Sequence, residues 1–167
     1  MSTTQINRIL AVEIRASRLG YTFLEAPNQL RDFGAAWFDS PAAARSRLNR
    51  LLGFYRPSVL VLRGTSARYP RNMRKRMAVD RIARDEARKR EIPVARVSER
   101  AFSSYFERFS CHDKYDVADV IATEFPDLAS RLPSRPKFYD PEPRAMLYFD
   151  SIALGTTYLK LTGGMAF

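Results

Sequence analysis

Ile6-Asn7-Arg8-Ile9-Leu10-Ala11-Val12-Glu13-Ile14, followed closely by Tyr21-Thr22-Phe23-Leu24-Glu25-Ala26 and by Leu30 to Phe38, decides how this chain folds. The first run is apolar except for Asn7, Arg8 and Glu13, the pattern of a strand covered on both faces. Ala16-Ser17-Arg18-Leu19-Gly20 reads as a turn. Tyr21 to Ala26 alternates as a second strand, Pro27-Asn28 marks another turn, and Leu30 to Phe38 gives a third strand with Gly34 inside it. Closely spaced strands joined by short turns predict an antiparallel meander.

The period then changes. Asp39-Ser40-Pro41 sets a capping residue before a proline suited to the first helical position. Ala44, Leu48, Leu51, Leu52 and Tyr55 recur at helical spacing, and Pro57 ends the run. Val59 to Leu62 is short and wholly apolar, as expected of a buried parallel strand. Residues 70–91 predict a long helix with Met73, Met77, Ile82 and Ala83 on its apolar side, stopped by Pro93. Val94 to Val97 reads as a fifth strand. Residues 113–125 predict a helix with Val117, Val120 and Ile121 inward. Pro126, Pro133, Pro136, Pro141 and Pro143 make residues 126–143 an extended connector, and Glu142 to Leu159 is the last helix. The order β-β-β-α-β-α-β-α-α predicts a single α/β domain over residues 1–167, with helices on the faces of a mixed sheet.

The chain has 167 residues, enough to enclose a full core, and an ordinary globular share of apolar residues, 46%. Its longest apolar runs are far below the roughly 20 residues of a spanning helix, and Met1 to Gln5 lacks the basic-then-apolar pattern of a signal peptide. A cytoplasmic location away from membranes is the expectation. The one cysteine, Cys111, excludes an internal disulfide and a multi-cysteine zinc site, and Cys111-His112 alone offers too few ligands for zinc.

Charge is the strongest signal. Lys and Arg number 28 against 18 Asp and Glu, a net +10. A field of that sign attracts polyanions. Most of the excess lies in residues 68–90, where Arg68, Arg71, Arg74, Lys75, Arg76, Arg81, Arg84, Arg88, Lys89 and Arg90 face only Asp80, Asp85 and Glu86. Pairs such as Asp80 with Arg84 or Arg76 would make part of this a solvated helix face. Three acids cannot pair ten cations, so the stretch predicts a nucleic-acid contact that reads phosphates and shape rather than bases. Tyr69 and Asn72 could add stacking or polar contacts.

The element order, taken with several local patterns, resembles the RuvC-like (Holliday-junction resolvase) branch of the ribonuclease-H-like superfamily. Ile9-Leu10-Ala11-Val12-Glu13-Ile14-Arg15 followed by Leu19-Gly20-Tyr21 looks like that family's first hairpin. Leu30-Arg31-Asp32-Phe33-Gly34 is similar to its third strand, Pro57 to Leu62 to its fourth, and Phe149-Asp150-Ser151-Ile152-Ala153-Leu154 to its last helix. The resemblance spans nearly the whole chain in order. It implies a ribonuclease-H-like fold, a homodimer acting on two-fold DNA junctions, and, in active members, four carboxylates holding two Mg²⁺ or Mn²⁺ ions for in-line phosphodiester hydrolysis.

Glu13 matches the first-strand carboxylate and Asp150 the last-helix carboxylate, so these are the candidate catalytic residues and, if a metal binds, the candidate metal ligands. A lone acid in an apolar strand is costly unless paired or metal-bound. Two expected ligands are missing: Arg63 stands where the fourth strand should end in Glu, and Leu147 where the last helix should carry a second acid. Arginine keeps its proton in proteins. The expectation is therefore that Arg63 neutralises both Glu13 and Asp150 with its planar fork, leaving a degenerate centre. Asp113, Asp116 and Asp119 could substitute as ligands, but acids at a helix start are favoured by the helix dipole alone. Lys114 falls near where the resembled family keeps DNA-contacting basic residues. Arg15, Arg18 and Arg100 read equally well as surface charge. Three readings follow: a nucleic-acid-binding protein with an impaired centre and no cofactor, an active Mg²⁺- or Mn²⁺-dependent endonuclease, or a non-catalytic interaction module.

Overall fold

The computed structural model describes residues 7–64 and 73–163. Five strands, β1 (Arg8–Ile14), β2 (Arg18–Glu25), β3 (Gln29–Trp37), β4 (Val59–Arg63) and β5 (Val94–Val97), form one sheet in the order β3-β2-β1-β4-β5. The meander β1-β2-β3 is antiparallel, and β4 and β5 add in parallel on the other side of β1. The three strands read from the sequence are present with shifted ends. Arg18, Leu19 and Gly20 belong to β2 rather than to the turn, because β2 pairs with its neighbours through them.

Helix α1 (Pro41–Tyr55) starts as expected: the Ala43 backbone N–H donates to Ser40 Oγ at 3.1 Å, and Pro41 opens the first turn. It ends at Tyr55, and Arg56, just before Pro57, takes the left-handed conformation (φ 46°). Helix α2 (Met73–Lys89) is described from Met73 onward. Met77, assigned above to its apolar side, is 53% exposed, and the buried positions are Val79, Asp80, Ile82, Ala83, Glu86 and Ala87. The face turned inward carries two acids, so apolarity alone misjudged its angle.

A helix not anticipated from the sequence, α3 (Glu99–Glu107), follows β5. Its signals were present: Ser98 caps it by accepting from Ala101 N–H at 3.0 Å, and Phe102 and Phe106 are spaced one turn apart and buried. Helix α4 (Lys114–Glu124) is capped by Asp113, and Val117 and Ile121 face inward. The supposed extended connector begins instead as a 3-10 helix (Pro126–Arg131) that buries Leu128. Helix α5 (Ala145–Thr162) closes the fold. No described helix is long and apolar enough to cross a membrane.

The pleat sorts β1 between two cores. Ile9 and Ala11 pack with α3, α4 and α5, whereas Leu10, Val12 and Ile14 pack with α1 and α2. Odd-numbered residues of β1 therefore face α5. On β4, Val59 and Val61 face the same way. By this parity Glu13, Arg15 and Arg63 all lie on the side of α5, at the strand ends.

Two glycines let α5 approach the sheet closely. A Cβ at Gly20 would meet Leu147 O at 2.2 Å, and one at Gly155 would meet a Leu24 methyl at 2.6 Å. Between them the Thr22 and Ser151 hydroxyls hydrogen-bond at 2.5 Å in a fully buried setting. Replacement Gly20→Ala is expected to lower the unfolding free energy by about 2–3 kcal/mol, because the obstacle is helix backbone. Gly53→Ala in α1 meets only Arg90 Nη2 at 3.9 Å, and should instead stabilise by about 0.5–1 kcal/mol through helix propensity. Urea unfolding of both variants checks the contrast, and equal shifts would refute the account of the Gly20 contact.

Candidate functional site

At the carboxyl ends of β1 and β4, Glu13, Arg63 and Arg15 meet Asp150 of α5. Glu13 is paired across the hairpin with Gly20, the position that lets α5 approach closely. Leu147 sits over that glycine, and Asp150 follows one helical turn later, so the close approach brings Asp150 near the end of β1. Glu13 and Asp150 are both buried, at 2% and 6% exposure.

A guanidinium fork joins the two acids. Arg15 donates from Nη1 to Glu13 Oε1 at 2.5 Å and from Nη2 to Asp150 Oδ2 at 2.6 Å. Arg63 donates from Nε to the other Glu13 oxygen at 3.0 Å and from Nη1 to Glu99 of α3 at 3.3 Å, with its guanidinium 4.0 Å from the centre of the Phe102 ring. The expectation that Arg63 neutralises both acids is therefore corrected. Arg63 bonds Glu13 and Glu99, while the residue spanning Glu13 and Asp150 is Arg15, read above as equally plausible surface charge. The physical reason is reach. The hairpin bends back just past β1, with Arg15 N–H donating to Arg18 O at 2.8 Å. This holds Arg15 at the gap between strand and helix, whereas Arg63 lies one strand further away, against α3.

The two carboxyls respond in opposite directions. Burial pushes Glu13 up, but the charges of Arg63 and Arg15 outweigh it and hold the carboxyl below its ordinary range. Asp150 is pushed up to about 7 by burial and by the Glu13 charge, with Arg15 and Arg63 offsetting only part of this. Arg15 itself is raised despite burial, chiefly by the charges of Glu13 and Asp150.

These groups line a cleft of about 810 Å³ that also includes Arg18, Arg76, Lys114 and Glu142. Lys114 pairs with Glu142 at 2.9 Å, and Arg18 reaches the same carboxylate at 3.4 Å. The lining holds five cations and six acids, so the cleft is close to neutral. Asp113, Asp116 and Asp119 do not join Glu13 and Asp150 as ligands. Asp113 caps α4, Asp116 accepts from His112 N–H, and Arg135 bridges Asp113 and Asp116 at 2.5 and 2.6 Å.

The donor set does not fit a two-ion centre. Hard divalent ions need several free oxygens. Here both Glu13 oxygens accept from guanidinium groups and Asp150 offers one oxygen outside its bond to Arg15, and Arg63 and Leu147, where the resemblance implies two further carboxylates, supply none. Among the described residues no group of three His, Cys, Asp or Glu is placed to hold a metal ion.

Helix α2 carries seven cations against three acids, and their pairing divides it along its length. Towards the C-terminal end, buried Glu86 accepts from Arg45, Lys89 and Arg90, buried Asp80 takes Arg84 and Arg96, and Asp85 takes Arg88. Arg74, Lys75 and Arg81 are exposed and form no ion pair among the described residues. Arg76 lines the cleft. Arg68, Tyr69, Arg71 and Asn72 lie outside the described residues.

No protein-family model matches this sequence, and no curated protein is similar to it. Solved structures are similar in fold. RuvC of Thermus thermophilus superposes with a TM-score of 0.69 at 13% identity, covering 94% of this chain and 96% of that one. The same protein in complex with a Holliday junction substrate gives 0.67 at 12% identity, covering 94% and 96%. The yeast mitochondrial Holliday junction resolvase Ydc2 gives 0.68 at 13%, covering 95% of this chain and 80% of that one. The chain has the ribonuclease-H-like fold of these resolvases.

Two outcomes test the cluster. Arg15→Leu is expected to cost about 3 kcal/mol, the low end for breaking a buried pair, since Arg63 stays on Glu13 and Asp150 can take up a proton. Adding Asp150→Asn to it should recover part of the loss in urea unfolding, and strict additivity would refute the bridge. The second concerns pH. The folded carboxyl of Asp150 titrates near 7, above its unfolded value of about 3.9. Its stabilising contribution is full below about pH 4 and is lost as pH rises through 7. The stability of the wild type relative to Asp150→Asn should therefore fall across that window, by at most about 1.4 kcal/mol per unit. A difference independent of pH would count against the raised carboxyl.

Proposed function

We propose that this chain is a nucleic-acid-binding protein on the resolvase fold, in which an arginine–carboxylate cluster stands where a metal centre would be. The observation that carries this is Arg15, held between Glu13 and Asp150 at 2.5 and 2.6 Å. A guanidinium supplies no activated water and does not act as a base, because it stays protonated. Hydrolysis by two ions would need both carboxylates released, and Arg63 and Leu147 would still contribute no oxygens. Glu13 and Asp150 are thus read as members of a structural charge cluster, and no metal or other cofactor is required.

The same reading puts the nucleic acid along Arg74, Lys75 and Arg81, with Arg76 and Lys114 at the cleft. Arg74, Lys75 and Arg81 are exposed and form no ion pair among the described residues, and such cations neutralise backbone phosphates and release counterions. DNA is the favoured polymer because resolvases of this fold, such as the Thermus protein, are seen with Holliday junction substrate. A homodimer would match a two-fold junction, and the mass of the free protein in solution by light scattering tests that part separately.

The deciding experiment is a labelled four-way DNA junction incubated with Mg²⁺ or Mn²⁺, with binding and cleavage followed in one gel beside Asp150→Asn. Binding without cutting, unchanged by EDTA, is expected. Metal-dependent cutting that disappears in the variant would overturn the proposal in favour of an active endonuclease. Arg74→Glu with Arg81→Glu should weaken binding at least tenfold and lower the salt dependence by roughly one unit for each phosphate no longer neutralised. Unchanged affinity would leave an interaction module for another protein as the better account.

A further inference from the structure

The connector between the 3-10 helix and α5 carries the most exposed aromatic side chains of the described residues. Phe138 is fully exposed at 106% and Tyr139 is 77% exposed. Neither ring has an aromatic or cationic partner among the described residues, whereas Trp37, also partly exposed, is covered by the Arg144 guanidinium at 5.6 Å. Two adjacent apolar rings held in water are an unusual arrangement in a soluble surface and mark contact sites.

The rings sit on a built turn. Asp140 N–H donates to Lys137 O at 2.9 Å, and the Asp140 carboxylate accepts from Lys137 N–H at 3.1 Å. Pro136 precedes the turn and Pro141 follows it, each fixing its own φ. The segment is tied down at both ends. Upstream, Arg135 bridges Asp113 and Asp116 and lies 5.4 Å from the centre of the Tyr115 ring. Downstream, Glu142 holds Lys114 and Arg18. Asp113, Lys114, Arg18 and Glu142 all line the cleft, so both anchors of the turn are on the cleft rim. Little further ordering is then needed when a flat ligand meets the rings.

We propose that the Lys137–Asp140 turn is a stacking site for unpaired nucleobases, with Phe138 and Tyr139 as the stacking surfaces. This rests on the reading of the chain as nucleic-acid-binding. The chemistry favours a base over an apolar protein surface because the charges of this connector left without an ion pair among the described residues are mainly cations: Arg131, Lys137 and Arg144 against Asp140, with Arg135 and Glu142 already paired, and Lys137, next to Phe138 in the chain, is exposed. A phosphate follows each base at the spacing of a side chain or two, so rings beside cations suit a strand that offers both. Bases inside a continuous duplex present edges, not faces. The site therefore selects gaps, single strands and branch points, where faces are free. It adds a preference for unpaired structure that phosphate contacts on α2 cannot supply.

The test uses the full chain, a DNA duplex with a short single-stranded gap carrying 2-aminopurine, and the same sequence as a continuous duplex. Phe138→Ala/Tyr139→Ala removes rings that the fold does not bury, so the variant should unfold at the wild-type urea midpoint. It should bind the gapped probe about tenfold more weakly than wild type and no longer quench 2-aminopurine, while its affinity for the continuous duplex is unchanged. Phe138→Trp should retain both gap affinity and quenching. Equal affinity of wild type and the double variant for the gapped probe would overturn the proposal, as would an equal loss on both probes, which would mark the turn as a general contact. Wild-type protein that binds neither probe would instead overturn the nucleic-acid reading, and this proposal with it.

Discussion

Glu13 and Asp150 are brought together by elements that cannot move apart. The pleat of β1 aims Glu13 at α5, and α5 is held against the sheet where Gly20 and Gly155 leave no side chain in the way. Two carboxylates buried at such close quarters repel in a medium that screens poorly, and both lose hydration. Only three remedies exist: a metal cation, a proton, or a fixed organic cation. This chain combines the last two. Arg15 bridges the pair, and because Arg63 serves Glu13 as well, Glu13 keeps its charge while Asp150 is left near 7. Both guanidinium groups lower both acids, but Glu13 is hydrogen-bonded by two of them and Asp150 by one, and the Glu13 charge adds to burial in raising Asp150.

The same accounting of partners separates structure from surface on α2. Asp80 and Glu86 are buried acids, and each gathers arginines from a different element: Arg96 of β5 for Asp80, Arg45 of α1 for Glu86. These pairs tie α2 to the sheet edge and to its neighbouring helix, and they absorb the cations of its later turns. The charge left over is confined to Arg74, Lys75 and Arg81. A net charge of +10 would by itself say little about where a polyanion sits. On α2 the pairing pattern narrows the candidates to Arg74, Lys75 and Arg81, while exposed arginines on α1 such as Arg47 and Arg50 also form no ion pair among the described residues.

Much of this was legible in the sequence. Apolar runs with short turns revealed the meander, the fully apolar Val59 to Leu62 revealed a central parallel strand, and Glu13 and Asp150 stood out as acids in apolar company. What failed has common physical causes. Apolar periodicity misplaced the inner face of α2, since that face is held partly by ion pairs, and it put Met77 inside. In residues 98–112 Ser98 and the Phe102–Phe106 spacing mark a helix, but a nine-residue helix with only two buried apolar positions is a weak pattern. The sequence pointed to Arg63 as the cation spanning both acids, and that choice was wrong, because Arg15 is the residue that does so. Arg63 ends β4 and Arg15 lies just past the end of β1, and only the hairpin's bend and the path of α5 decide which guanidinium reaches both acids.

A centre made of fixed charges has different capacities from one made of metal ions. An ion pair of this kind is assembled when the chain folds and does not depend on a supply of Mg²⁺, and its geometry is set by side-chain reach rather than by coordination number. A guanidinium does not itself activate a nucleophile, since it keeps its proton. What the cluster can do is hold the ends of β1, β4 and α5 in the relation that shapes the cleft. The cleft's rim in turn carries the anchors of the Lys137–Asp140 turn, through Lys114, Arg18 and Glu142. The ion pairs join these elements directly, Arg15 linking β1 to α5 and Arg63 linking β4 to β1 and α3, so a cluster of fixed charges keeps them in register as a shared metal ion would.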